Sequence, residues 1–261
     1  MKIIDNHTHL FNKEIYEEYA KKHKDKISKS IVLSWHHENL EDVLNFVNSK
    51  KNLFFVGNVD MNKNVFLQIK DLEKLFKKNK NVGIKLYPGY QYFYSNDKKI
   101  KPIADLCVKF NKPLIFHMGD VWDEHGNALL KYSHPSYIDD LANMFPKCKI
   151  IISHFGFPYM LETANIVSKN ENVYTDISGV FDVGTNKDMN KMIKQYVKDL
   201  KRILNYYPDI KNKIMFGTDY SGETTPLNAI VPYIKVVKKV FSKKEQENVF
   251  YKTAEIIYGL E

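Results

Sequence analysis

The chain has little of what ties a protein to an oxidising compartment or a membrane. It holds two cysteines, Cys107 and Cys148, both in apolar stretches. That excludes a disulfide framework and reads as buried thiols in a reducing cytosol. No apolar run reaches the ~18 to 20 residues of a membrane span. The first residues carry no basic segment followed by an apolar core and a small-residue cleavage site, so no secretory leader is expected. A cytoplasmic location follows as the expectation. Arginine is nearly absent, and the formal charge of +8 comes from lysines. These are spread through segments such as "KKHKDK" and "VVKKVF" and interleaved with acids, the pattern of solvated helix faces. The 17 tyrosines and 16 phenylalanines form no aromatic–arginine groove of the kind that binds single strands. Neither a nucleic acid nor a membrane is expected as a partner. A Gly-rich phosphate loop after the first apolar run is also missing, which argues against an open dinucleotide-binding sheet.

What is present is a strong alternation. Eight short β-branched or aliphatic runs, "KIID", "SIVLS", "LFFVGNVD", "VGIKLY", "PLIFHMG", "KIIISHFG", "VYTDISG" and "IMFGTDYS", are separated by helical patterns. The helical stretches run over 14–23, 40–49, 65–78, 100–110, 135–145, 160–168 and 187–206. Two more, 226–241 and 243–258, follow the last strand. Ser242 with Glu245 three residues on is a capping-box pattern, and Pro135 suits a first helical position. Near-continuous apolar strands joined by helices imply a parallel sheet covered on its faces. At 261 residues, eight such units predict a single-domain α/β fold over 1–261, a (β/α)8 TIM barrel with an extra C-terminal helix.

In such a barrel the site is built where the strands end. His7 and His9 end the first strand, Lys85 lies in the fourth, and His117 and His154 end the fifth and sixth. Asp176 and Ser178 fall in the seventh and Asp219 ends the eighth. A single buried histidine is usually a core hydrogen-bonding group. Four at one end of one barrel, with a carboxylate, are better explained by a first-row metal. His7, His9, His117 and Asp219 are the expected ligands. Zinc is the expected ion, with manganese, iron, cobalt or nickel as alternatives and one ion favoured over two. His154 is the general base or part of a second metal site, and His154 with Asp219 make up the expected catalytic pair. Strand alternation places Asp5 on the face of His7 and His9, as support beneath the metal.

The order of these residues resembles the amidohydrolase superfamily. The words "VGIKLYPGYQ", "KPLIFHMGD", "KIIISHFGFPYMLETANIVSKNENVYTDISG" and "KIMFGTDYS" are similar to its amidohydrolase-related branch, which includes aminocarboxymuconate-semialdehyde decarboxylase. The likeness runs from Ile3 to Ser221. It implies the same metal set of His7, His9, His117 and Asp219, with His154 serving catalysis. A strand-four lysine bridges two metals as a carbamate in some binuclear members; here Lys85 is read as a substrate-binding charge. Trp122, with Asp120, is the loop residue expected against substrate, and Trp35 lines the pocket. His36, His37 and His125 are read as loop residues, His134 as a helix-start residue and His23 as surface. The expected activity is hydrolysis of a small-molecule amide, ester or lactone by metal-activated water. The alternative is nonoxidative decarboxylation of an aromatic or unsaturated acid at the same site. A TatD-type nuclease and a non-catalytic metal-binding barrel are less favoured. A homodimer is the default assembly.

Overall fold

A computed structural model describes residues 2–23, 25–35, 39–78, 81–121, 126–181, 188–223, 225 and 228–260. Eight strands lie side by side in chain order, every neighbouring pair parallel. They are β1 (Ile4–Thr8), β2 (Lys29–Leu33), β3 (Leu53–Asn58), β4 (Ile84–Leu86), β5 (Leu114–Phe116), β6 (Ile150–Ile152), β7 (Val173–Asp176) and β8 (Ile214–Met215). Backbone bonds from Asn6 N–H to the Phe216 carbonyl (3.0 Å) and from His9 N–H to the Tyr220 carbonyl (2.8 Å) bring β8 back to β1. The expected barrel and all eight strands are present.

Helices fill the connections: α1 (Lys13–His23), α2 (Leu40–Asn48), α3 (Val65–Lys77), a short α4 (Pro88–Gln91) and α5 (Lys101–Lys109). They continue as α6 (Ser136–Met144), α7 (Met160–Lys169), α8 (Met189–Tyr206), α9 (Val231–Val240), α10 (Lys243–Glu247) and α11 (Thr253–Tyr258). Local chemistry starts several of them. Asn39 and Asn64 accept from backbone N–H groups of the first turns of α2 and α3. The expected Ser242–Glu245 capping box opens α10. The expected single C-terminal helix is instead α10 and α11 joined through a π-helical turn at Asn248–Lys252.

Alternation along the strands sorts the core into two layers. Leu114, Phe116, Ile150 and Ile152 face the helices, whereas Ile115 and Ile151 face the barrel interior with Ile4, Ile31, Leu33, Val56 and Met215. This phase turns Lys85 inward, between Ile84 and Leu86 that face out. Ala254, Ile257, Tyr258 and Leu260 close the N-terminal end of the barrel against that interior layer. Lys112 and Lys149 donate to the carbonyls of Tyr258 (3.1 Å) and Ile257 (3.4 Å), and Lys29 donates to that of Leu260. Cations there satisfy orphan carbonyls at the helix C-terminus and complement its dipole. Cys107 and Cys148 are buried free thiols as expected.

β1 departs from plain alternation. Asp5 lies opposite Ser30 and Thr8 opposite Val32, so β1 carries one residue more than β2 over this interval, a β-bulge. Asp5 therefore faces outward, not beside His7 and His9 as alternation predicted. Its carboxylate accepts from Tyr19 Oη (3.0 Å), Thr218 Oγ1 (2.7 Å) and Thr218 N–H (3.0 Å). It ties β1 to β8 behind the site instead of lying beneath a metal.

His23 is the second correction. It is buried, not at the surface, with its ring against Tyr19 (5.7 Å) and Tyr220 (6.4 Å). Tyr19 at i−4 was the overlooked signal, because the two share one helix face. His23 Nδ1 finds no hydrogen-bond partner among the described residues. Burial, with Lys26 and Lys22 adding to it, pushes its pKa down to about 4. Between pH 6.5 and 4 the unfolded chain then binds the proton and the folded one does not. Stability from this group is complete above pH 6.5 and falls as pH drops through that window. His23→Leu should therefore lose less stability than wild type between pH 7.5 and 4.5 in urea denaturation. An equal loss in both proteins would contradict this account.

Candidate active site

The site lies at the C-terminal ends of β1, β5, β6, β7 and β8. Two of its residues sit in the left-handed backbone region, Asp219 at φ 66° and His154 at φ 61°, which few non-glycine residues adopt. The turn at Asp219 is held by its own N–H donating to the His7 carbonyl (2.8 Å). Two glycines make room. A Cβ on Gly217 would meet Asn6 Nδ2 and His7 Cβ, and one on Gly179 would overlap the His154 ring.

The protons can be assigned from partners that only donate or only accept. His9 Nδ1 lies 2.7 Å from the Leu33 carbonyl, which only accepts, so Nδ1 carries the proton. Trp35 Nε1–H, which only donates, lies 3.2 Å from His9 Nε2, so Nε2 is bare. Yet the same Nε2 lies 2.9 Å from Asp219 Oδ1, a second acceptor. His7 stands between two carboxylates. Its Nδ1 faces Asp176 Oδ2 at 3.2 Å and its Nε2 faces Asp219 Oδ1 at 3.3 Å.

Asp176 fixes the rest. It accepts from the N–H groups of His154 and Ser178 (3.0 Å each) and from Ser178 Oγ–H. Having given its proton to Asp176, Ser178 Oγ accepts from His154 Nδ1–H at 2.9 Å. His154 Nε2 is then bare, and it faces His117 Nδ1 at 3.2 Å. His117 Nδ1 is bare as well, because His117 Nε2–H is given to the Asp120 carbonyl at 2.8 Å. The bare His9 nitrogen thus meets Asp219, and the bare nitrogens of His154 and His117 meet each other, with no proton between them. A cation resolves that arrangement; a further hydrogen bond does not. The donor atoms of His7, His154 and Asp219 lie within 4.8 Å of one another. These nitrogen and oxygen donors fit a first-row divalent ion.

Charge agrees with the lone pairs. Burial pushes the imidazoles of His7 and His117 below the usual range and that of His154 to about 3, which keeps them neutral. Burial alone would raise Asp176 and Asp219, yet both carboxyls lie below the ordinary range; at Asp176 the hydrogen bonds accepted from His7 and Ser178 work against burial. Lys85 is buried, donates to Ser153 Oγ and lies 5.5 Å from the Tyr87 ring centroid. Burial lowers its pKa to about 8 against the pull of Asp176 and Asp219. Two carboxylates against one ammonium leave a buried site one negative charge in excess.

The structure brings together His7, His9, His117, His154 and Asp219, with Lys85 in the barrel interior beside Ser153. Asp176, read in the sequence as a floor or buried hydrogen-bonding residue, is the hub that orients His7 and His154. The overlooked neighbours are Tyr87 and Tyr90, whose rings lie 6.1 and 5.2 Å from that of His117. Nothing in "LYPGYQ" marked them apart from the other tyrosines. Trp35 lines the site as expected. Asp120 reaches it through its carbonyl. His134 accepts from Ser136 N–H (3.4 Å) at the start of α6, as a helix-start residue should. Trp122, His36, His37 and His125 lie outside the described residues.

The profile of the amidohydrolase family matches residues 48–260. No curated protein matches the sequence. Among solved structures, an uncharacterized TIM-barrel protein from Bordetella bronchiseptica superposes with a TM-score of 0.72 at 16% identity, over 99% of each chain. A probable 2-pyrone-4,6-dicarboxylic acid hydrolase from Acinetobacter baumannii gives 0.69 at 16%, over 99% of this chain and 100% of that one. A 2,6-dihydroxybenzoate decarboxylase from Rhizobium gives 0.65 at 11%, over 99% and 98%. At these identities the likeness is one of fold.

Proposed function

This chain belongs to the amidohydrolase family, and from that premise we propose that it is a metal-dependent hydrolase of a small-molecule amide, ester or lactone. The observation that carries the reading is the convergence of the His7 and His9 imidazole nitrogens on Asp219 beside a histidine equipped to take a proton. His7, His9, His117 and Asp219 would hold the ion, with zinc the choice that nitrogen and oxygen donors favour. A bound divalent ion supplies an acidified water and polarises a carbonyl. His154 is assigned to the proton and His117 to the ion because of what stands behind each ring. Behind His154 is Ser178 leading to ionised Asp176, a relay that stabilises an imidazolium. Behind His117, among the described residues, is a neutral carbonyl.

One observation favours a second reading. Lys85 is a cation held in the interior with no carboxylate among its direct hydrogen-bond partners in the described residues, a setting suited to a substrate carboxylate. Such a substrate points to nonoxidative decarboxylation; the Rhizobium protein is named a decarboxylase. The deciding experiment presents lactones, amides and aromatic carboxylates to zinc- and manganese-loaded protein and follows both acid release and CO2 release. His154→Asn should keep zinc affinity within about threefold and lose at least ~100-fold in turnover. His117→Asn should lose the zinc. Equal metal loss in the two variants would contradict the division of roles, and turnover surviving chelation would contradict the reading.

A further inference from the structure

Trp35 occupies a chemical position that the reaction does not explain. Three residues, one in β3 and two that follow β1 and β4, pin it. Asn58 Nδ2 of β3 donates to the Trp35 carbonyl (2.5 Å) and to Ser34 Oγ (3.2 Å). Tyr87 Oη, just after β4, donates to the Ser34 carbonyl (2.8 Å). Phe11 meets the indole edge-on at 4.9 Å. So braced, the indole N–H is given to His9 Nε2 at 3.2 Å, the nitrogen that also faces Asp219. A lone pair that accepts this N–H cannot also be given to a metal ion. Protein N–H and metal ion compete for one pair of electrons, and the winner decides where the indole N–H points.

We propose that Trp35 is a specificity-determining gate: its N–H guards His9 Nε2 until an ion takes that lone pair, and the released N–H then donates to an oxygen of the substrate. The inference rests on the metal-site reading above. It selects substrates with an accepting oxygen, a carboxylate or carbonyl, on the β2 side of the site. No bond is made or broken in the exchange; one hydrogen bond is traded for another.

The test uses Trp35→Phe, which keeps an aromatic ring on the Phe11 side and removes the N–H donor along with part of the ring, with zinc as the first probe and benzoate as the second. With 15N-labelled indoles, the Trp35 N–H resonance, identified by its loss in the variant, should shift on addition of one equivalent of zinc. Zinc should bind the variant about fivefold more tightly than wild type, since one competing hydrogen bond is gone. Benzoate should bind the zinc-loaded variant about fivefold more weakly. A merely structural tryptophan would instead weaken both ligands or neither. If zinc binds wild type while the indole resonance stays still and the variant's zinc affinity is unchanged or lower, the gate is overturned and the metal site stands. If zinc binds neither protein, both fail.

Discussion

Asp219→Asn should lose more than ~100-fold in zinc affinity, and activity with it, while the metal-free protein becomes no less stable and gains up to about 1 kcal/mol. The first half follows from removing the one anionic donor on which His7 and His9 converge. Changes to groups merely supporting a metal ligand already cost ~10- to 100-fold. The second half is the sharper. In the metal-free protein, Asp219 Oδ1 faces the bare Nε2 of His9 at 2.9 Å and the Nε2 of His7 at 3.3 Å. An asparagine amide in the same place donates to the His9 lone pair instead of opposing it. Asparagine also tolerates the left-handed backbone at this position. A rival account makes Asp219 the partner of a buried imidazolium. On that account the same substitution strands a charge and costs ~3 to 5 kcal/mol. Urea denaturation of chelated wild type and variant at pH 8 separates the two by sign.

The second large effect is expected at Asp176. Asp176→Asn should cost ~10- to 100-fold in zinc affinity and ~100-fold or more in turnover, although Asp176 is placed behind the ligands and not among them. Its four hydrogen bonds among the described residues are all accepted ones, from His7 Nδ1–H, two backbone N–H groups and Ser178 Oγ–H. An asparagine offers one acceptor oxygen and one donor nitrogen. Whichever way it turns, an N–H meets an N–H. If it turns toward His7, the imidazole is driven to carry its proton on Nε2, where the lone pair for the ion should be. If it turns toward Ser178, the relay behind His154 is cut. Misplaced tautomers of this kind are among the costliest conservative changes in catalysis. Histidine 15N shifts report the outcome, since Nδ1–H and Nε2–H forms differ. A variant that keeps His7 protonated on Nδ1 and His154 on Nδ1, with zinc affinity intact, would contradict the role assigned to Asp176.

Much of this site was legible in the sequence because the barrel does the gathering. Apolar runs with histidines or an aspartate at their C-terminal ends are visible as text, and eight parallel strands bring those ends together. The phase of Lys85 was not legible, because an outward role was open until Ile84 and Leu86 took the helix side in the folded barrel. What alternation could not supply was the bulge in β1. One additional residue between Asp5 and Thr8 reverses the parity of everything after it, and nothing in "IDNHT" announces it. Asp5 was misplaced for that reason. His23 was misplaced because a lysine-rich helix end, "AKKHK", outweighed the Tyr19 spacing. The importance of Asp176 could not be read either. Its weight comes from what it accepts from β1, β6 and its own strand, and those partners meet only in the folded barrel. Trp122 lies outside the described residues.

The central claim is that a divalent ion sits on the bare imidazole nitrogens and the carboxylate at the barrel mouth. X-ray absorption at the zinc edge, on protein loaded with one equivalent, tests it most directly. The account predicts a shell of nitrogen and oxygen at about 2.0–2.1 Å with the outer scattering of three imidazoles. A shell of oxygen without imidazole scattering, or an ion that washes away, would contradict it.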